Sequence, residues 1–584
     1  MTAEKEQFVL SSKLRPMKDE VIARKGVVTA NHPQSAEVGL SILKKGGNAI
    51  DAGVATGFCN TVVAPFLAGI AGQGIMLVYL AAEDKTVAID FNAKSPRKAT
   101  PDLYKIVGVT RRGNNIFEVE NDELRSGPKG VCVPGTAAGL CLAHELYGSL
   151  SLEKVLQPSI SLAAEGFQVR PYQTDRIANL MATIQSRPPL VDMWLPNGRP
   201  PTTVGGEKVV QPDLGRLLKR IAQEGSDFIY KGDVAKIVAE FIQKRGGVLD
   251  YEDLAAYEPT VGEPMETSYR DYQVMTVPAP IGAQTLLETL NILENFDTQS
   301  LGHNTPEYLH LFIECARHAF ADRYRYMGDW EVAKVPIEGL LSKEYAKEIS
   351  SQVDLERAAL EPGIDEEPWV YYIEKAIHDP WKYDSQTRPR GESFSASADS
   401  SGTTHFNAVD KDRNIVCCTH FGGFGDGGIP PGTGLYLNGH MGQLIPKAGH
   451  PNSVEGWKRP MTNDSPVMVL KEGKPILCAG APGGRRIINR ITQILLSVLD
   501  FGMGIQDACA APTVDASSMQ TVVDSRIPSK TIDRLKAMGH RIRPVVSSPR
   551  VAEFARPSGI LIDHDAGLLK GGVEVFAAGV ALGH

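Results

Sequence analysis

A threonine hydroxyl is a weak nucleophile until a base takes its proton, and a threonine freed as an N-terminus carries that base in its own α-amine. Thr403 stands where this could happen. It follows Gly402 and opens the run Thr403-Thr404-His405-Phe406-Asn407-Ala408-Val409. An α-amine titrates near about 7.7–8.0, so a modest depression leaves much of it neutral near physiological pH. Generating it requires the Gly402–Thr403 bond to break. Residues 388–402 read RPRGESFSASADSSG, small and polar with almost no apolar content. Such a stretch would let a new C-terminus move away. The same composition suits an ordinary surface linker, and both readings stand on composition alone.

A second group with chemical capacity is Gly483-Gly484, which opens a predicted helix from Arg485 to Leu499. Two successive amides at a helix start offer unpaired N–H groups that can hold the oxyanion of a tetrahedral intermediate. A tight strand-to-helix turn would use the same residues. Arg485, next to the pair, could meet an anionic acyl group or simply be a solvated arginine of the first turn.

Other motifs fail on context. Gly423 to Gly428 has the spacing GxGxxG, but Ile429-Pro430-Pro431 follows and cannot continue a helix, so this is a Gly-rich loop and no cofactor is expected. His405, His420, His440 and His450 lack metal-ligand spacing, and the eight cysteines include no CxxC pair, so no metal site is expected. In a chain of this length the cysteines read as buried small hydrophobes.

The elements that must position these groups follow from hydrophobic periodicity. A helical pattern from Ser35 to about Cys59 breaks at Gly46-Gly47. Met76–Leu80 and Val87–Ile89 read as buried strands. Thr305 as N-cap with Pro306 at the first helical position starts a clear helix through Phe320. Gly246–Leu249 and Val274–Val277 suggest turns and a strand in a mostly helical middle. The runs 403–410 and 414–419, separated by Asp410-Lys411-Asp412-Arg413-Asn414, form a hairpin signal. Residues 466–470 and 475–479 make another strand pair. Strands covered by helices fit a layered α/β or α+β architecture.

Composition narrows the class. The 584 residues are 42% hydrophobic and 22% charged with a net charge of −8, ordinary for a globular protein and unsuited to nucleic acid or an anionic membrane. Neither a secretory apolar core nor an 18-residue apolar run is present, and a cytoplasmic, reducing setting is expected.

From about Lys25 onward the chain resembles the gamma-glutamyltransferase family of N-terminal-nucleophile hydrolases. The resemblance is carried by Ile42–Ala52, by Val133-Pro134-Gly135 through Leu140 with Leu156-Gln157-Pro158, and by Gly246-Gly247 through Tyr257. Ala321-Asp322-Arg323, Glu338–Ser342, Thr403-Thr404-His405 and Gly483-Gly484 continue it in order. It implies an α+β fold, the four-layered αββα sandwich. It implies one proenzyme divided into a large subunit, 1–402, and a small subunit, 403–584, that stay associated after self-cleavage. Thr403, Gly483 and Gly484 would be catalytic, with Thr404, His405 and Thr419 in support, acting on a small-molecule amide.

Where the family grips the glutamyl head, this sequence departs. The arginine of its Asp-Phe-Arg-Glu strand is Asn92 here, and the aspartate for the α-ammonium is Gln443. Its Ser-Ser pair is Thr462-Asn463. Its small-subunit threonine and asparagine fall on Phe421 and Gly423, with Thr419 two residues earlier on the same strand face. Asn92, Gln443, Thr462, Asn463 and Arg485 thus become the candidate substrate-binding residues. With no charged pair for a zwitterion, the expected reaction is hydrolysis or transfer of a non-glutamyl acyl group. The alternatives are a conventional gamma-glutamyltransferase and a catalytically silent binding protein.

Overall fold

The computed structural model describes residues 17–110, 116–360, 369, 371–391, 393–397, 402–548 and 553–584. Of the segment 388–402, residues 392 and 398–401 lie outside this set.

Strand Gln73–Leu80 shows how the layers arise. Ile75, Leu77 and Tyr79 enter one buried cluster while Met76, Val78 and Leu80 enter another. Side chains alternate across a strand, so an unbroken apolar run means both faces are covered. Ile415 and Cys417 divide from Val416 and Cys418 in the same way, as do Met468 and Leu470 from Val467 and Val469. The shared cluster is the seam between two sheets.

Each sheet has seven strands, and the pairings are antiparallel. One runs Val580–Gly583, Val27–Ala30, Thr404–Val409, Ile415–Phe421, Gln73–Leu80, Lys85–Phe91, Thr260–Gly262. The other runs Val21–Ala23, Leu568–Val573, Ser558–Asp563, Lys474–Gly480, Val467–Lys471, Tyr272–Thr276, Met265–Tyr269. Helices Pro33–Lys44, Ala49–Val63, Thr136–Tyr147 and Leu152–Glu165 cover the first. Helices Ala283–Leu293, Pro306–Tyr326 and Arg486–Leu499 cover the second. This is the αββα sandwich, helix on sheet on sheet on helix.

Local chemistry sets the boundaries. Gly46, at φ +92°, ends the first helix, and Asn48 caps the next by accepting from Asp51 N at 2.9 Å while Asp51 accepts from Asn48 N. Thr305 Oγ1 accepts from Tyr308 N, with Pro306 following. Gly423–Gly428 lies in a loop that bends at Gly425 (φ +76°) and Gly428 (φ +106°). All eight cysteines are buried and unpaired. Among the described residues no helix is long and apolar enough to cross a membrane.

One buried ion cluster ties segments on either side of Gly402. Arg459 Nη1 donates to Asp90 at 2.8 Å and its Nη2 to Asp329 at 2.6 Å, with all three side chains nearly inaccessible. Removing only the cation strands two carboxylates, and Arg459→Met should cost about 3–5 kcal/mol, read as a lowered denaturation midpoint. An unchanged midpoint would show the carboxylates to be held otherwise.

Burial also holds His32, His405, His420 and His440 at a pKa of about 3 and His450 at about 4, below the ordinary 6.5. The folded protein keeps them neutral while the unfolded chain takes up protons below that value. Stability is therefore full above about pH 6.5 and is lost as pH falls toward 3–4. The melting temperature should drop between pH 7.5 and 5; a flat profile would contradict neutral buried imidazoles.

Candidate active site

Thr403 sits immediately before the central strand Thr404–Val409, only 6% exposed. Its Oγ1 donates to the carbonyl oxygen of Gly402 at 2.7 Å. The Thr403 hydroxyl thus lies against the bond whose cleavage would release its amine. Gly402 adopts φ +79°, and a Cβ there would approach the Phe66 carbonyl oxygen to 2.9 Å. Only glycine suits that left-handed, crowded position.

The residues after Thr403 are fixed from the side and from below. Asn31 Oδ1 accepts from His405 N at 2.7 Å and from Thr404 Oγ1 at 3.4 Å. The buried His405 ring pairs through Nδ1 with Thr419 Oγ1 at 2.8 Å and through Nε2 with Asn407 Oδ1 at 3.1 Å. His405 and Thr419 face each other across the two strands. Asn407 in turn donates to Thr29 Oγ1 and Ser558 O. Thr404, His405 and Thr419 hold the strand that follows Thr403. Gly480 makes room for the imidazole, since a Cβ there would lie 2.3 Å from His405 Cε1.

Thr403 opens onto a cavity of about 370 Å³ that Gly483, Gly484 and Arg485 also line. Gly484 has φ +62° and its carbonyl accepts from Ile487 N at 3.0 Å, so the pair forms the turn into helix Arg486–Leu499. A Cβ on Gly483 would meet Ala555 at 2.5 Å. Among the described residues neither glycine amide has a hydrogen-bond partner. The turn and the oxyanion-hole readings of this pair are compatible, since the turn lies in the wall of the cavity that Thr403 also lines.

The remaining expected binding residues are elsewhere. Asn92, Gln443, Thr462 and Asn463 do not line this cavity. Gln443 accepts from Gln73 Nε2 at 2.7 Å. Thr462 donates to Asp464, and Arg323 binds the Thr462 carbonyl and Asn463 Oδ1. Asn92 is buried with neither side-chain atom paired, in a small separate pocket beside Asp90, Lys94 and Tyr257. The register Thr404–His420, His420–Gly74, Gly74–Phe91 puts Asn92 at the same sheet end as Thr403 but three strands across, about 14 Å away. In the uncut chain these four expected binding residues lie outside the cavity that Thr403 lines.

The cavity adds residues that sequence reasoning missed: Asn31, Tyr172, Asp175, Arg176, Asn179, Phe554 and Arg556. Residues 172, 175, 176 and 179 have helical spacing, but a polar helix face in a sequence is indistinguishable from a solvated one. Arg485 was expected, and it is present.

Comparison with known proteins agrees with this geometry. Residues 35–583 match the Gamma-glutamyltranspeptidase family. The chain is 32% identical over 566 residues to a glutathione hydrolase proenzyme of Bacillus subtilis, covering 96% of this chain and 92% of that one. It is 35% identical over 538 residues to an acylase ACY 1 proenzyme of Pseudomonas sp. strain SE83, covering 90% and 88%. The fold superposes on a cephalosporin acylase from Bacillus halodurans with TM-score 0.82 and 26% identity, covering 100% and 99% of the two chains. With the family's fold and a match over almost its whole length, the chain belongs to the gamma-glutamyltranspeptidase family and is one of its amide-hydrolysing or acyl-transferring enzymes.

Proposed function

We propose that this protein is a self-cleaving amide hydrolase or acyltransferase that works through an acyl-enzyme on Thr403 and takes a non-glutamyl acyl group. The observation that carries the reading is Thr403 Oγ1 at 2.7 Å from the Gly402 carbonyl oxygen, in one cavity with Gly483 and Gly484. In processing, Thr403 Oγ1 attacks the Gly402 carbonyl carbon, the chain passes from amide to ester, and water hydrolyses the ester. Thr403 is left with a free α-amine, and the large and small subunits, 1–402 and 403–584, remain together.

In turnover that amine accepts the hydroxyl proton as Oγ1 attacks the substrate carbonyl. The oxyanion is held by the Gly483 and Gly484 amides, each such donor contributing about 10²–10³ in rate. The amine then returns the proton to the departing nitrogen. Water or an acceptor amine finally removes the acyl group from Thr403. His405, neutral and enclosed, holds the strand and takes no part in proton transfer. The eight unpaired buried cysteines fit a cytoplasmic setting.

The acyl specificity rests on what replaces the family's zwitterion clamp. Asn92 and Gln443 carry no charge, and each charge-assisted hydrogen bond lost removes about 1.5–3 kcal/mol. A second reading, a conventional gamma-glutamyltransferase, is favoured by one observation: Asp175 and Arg176 bring a carboxylate and a guanidinium cation to the cavity wall.

Expressed protein should split at Gly402–Thr403, with Thr403 as the first residue of the smaller piece on N-terminal sequencing. Thr403→Ala should remain one inactive chain. An uncut wild-type chain with full activity would refute the mechanism. The processed enzyme should hydrolyse an acyl anilide lacking the α-amine at least ~10-fold faster than the γ-glutamyl anilide, the loss expected for one unpaired charge. Equal rates would favour the conventional transferase.

A further inference from the structure

The polar stretch 388–402 contains one large apolar residue, Phe394. Its ring meets Phe117 edge-on at 5.9 Å between centroids and the His450 ring at 5.4 Å, with Lys447 Nζ 4.7 Å from its centre. Edge-to-face rings and a cation over a ring face are both attractive arrangements. The residues around Phe394 are tied to the end of helix Pro306–Tyr326. The last four carbonyls of a helix have no partner within it. Here Arg325 O accepts from Ser393 Oγ at 2.9 Å, and Tyr324 O accepts from Ala396 N at 3.0 Å. Ala396 and Ser397 are buried.

This seat is assembled from both sides of Gly402. Phe117 comes from strand Ile116–Val119 and Tyr324 from the helix, whereas Lys447 and His450 follow Gly402 in the sequence. His450 Nε2 pairs with the same Tyr324 carbonyl at 2.9 Å, which fixes the aromatic wall to the helix end. Residues 389–391 are exposed, and just upstream of them Arg388 pairs with Asp379 at the surface. The seat therefore shortens the chain between an anchor and Gly402 from the fourteen residues after Arg388 to the five after Ser397. Gly402 has a confined place to reach. At φ +79° it lies close to the Phe66 carbonyl oxygen and Leu67, with the Thr403 hydroxyl 2.7 Å from its own carbonyl oxygen.

We propose that Phe394 is a positioning residue for self-cleavage, seating the segment before Gly402 so that the Gly402 carbonyl stays against the Thr403 hydroxyl. In that step Thr403 Oγ1 bonds to the Gly402 carbonyl carbon, the carbon–nitrogen bond breaks and the hydroxyl proton passes to the nitrogen. Water then hydrolyses the ester, leaving the Gly402 carboxylate and the Thr403 amine. Phe394 acts through the length of chain left to close, and closing fourteen residues instead of five should slow cleavage about fivefold. Neither Phe394 nor Phe117 lines the cavity that holds Thr403, so turnover by the cut enzyme does not depend on them. The inference rests on the reading of Thr403 as the nucleophile.

The test follows cleavage of the full-length chain after a pulse of cell-free synthesis, read as the uncut fraction on a denaturing gel. Phe394→Ala should cut about fivefold more slowly than wild type, and Phe394→Tyr, which keeps the ring, at close to the wild-type rate. Phe117→Ala removes the same ring pair from the other side and serves if Phe394→Ala misfolds. It should also slow cleavage, and the double variant should be no slower than the slower single one. Once cut, each variant should match wild type in kcat and KM on a γ-glutamyl or acyl 4-nitroanilide, whichever wild type turns over faster. In a Thr403→Ala chain, adding Phe394→Ala should speed proteolysis within 389–402 and leave the melting temperature in place. Wild-type cleavage by Phe394→Ala overturns the proposal, as do slow cleavage that Phe394→Tyr fails to restore, single effects that multiply, and unchanged proteolysis. Those outcomes leave Thr403 as the nucleophile. A wild type that never cuts at Gly402–Thr403 defeats the reading of Thr403, and this inference with it.

Discussion

Everything at the site depends on the backbone pairing of one interior strand. Thr404–Val409 is hydrogen-bonded on one edge to Val27–Ala30 and on the other to Ile415–Phe421. Its faces are covered by the helical layer and by the second sheet. Phe406 and Ala408 pack in the outer core and Val409 in the seam. A strand paired on both edges cannot shift register without turning its apolar residues to the wrong face. Thr403, one residue before it, therefore has a fixed position. Asn31 and the His405–Thr419 pair refine that position; the ladder creates it.

The same ladder explains how the Gly483-Gly484 turn, from a distant segment, comes to line one cavity with Thr403. Lys474–Gly480 belongs to the other sheet, and the strand leads directly to Gly483-Gly484. Gly480 lies against His405, which sits behind Thr403. The sheets meet closely because a glycine faces an imidazole there. The turn that follows opens into the chamber where Thr403 lies.

Much of this was legible in the sequence because it is periodic or punctuated. The Gly46-Gly47 break, the Thr305-Pro306 start and the Asp410–Asn414 turn carry local chemistry that fixes element ends. The αββα layering was expected from family resemblance, and the alternating burial of strand Gln73–Leu80 agrees with it. The acyl site was less legible. Asn92, Gln443, Thr462 and Asn463 were located by position in motifs, which gives their place on a strand but not the partners that occupy them. Gln73, Asp464 and Arg323 hold the side chains of three of the four, Gln443, Thr462 and Asn463. The cavity wall on Pro171–Asn179 was missed because long-range packing decides whether a polar helix face meets water or a chamber. Arg485 was found because it adjoins a recognisable turn.

Strand Val27–Ala30 pairs with Thr404–Val409 on one side and Val580–Gly583 on the other. That ladder therefore joins segments far apart in the sequence, and pairings of such high contact order form slowly. The chamber around Thr403 depends on the same closure, since Ala577 and Ala578 are part of its wall. Without Val580–Gly583, strand Val27–Ala30 would have an open edge, and the strand after Thr403 would lose the outer support of its ladder.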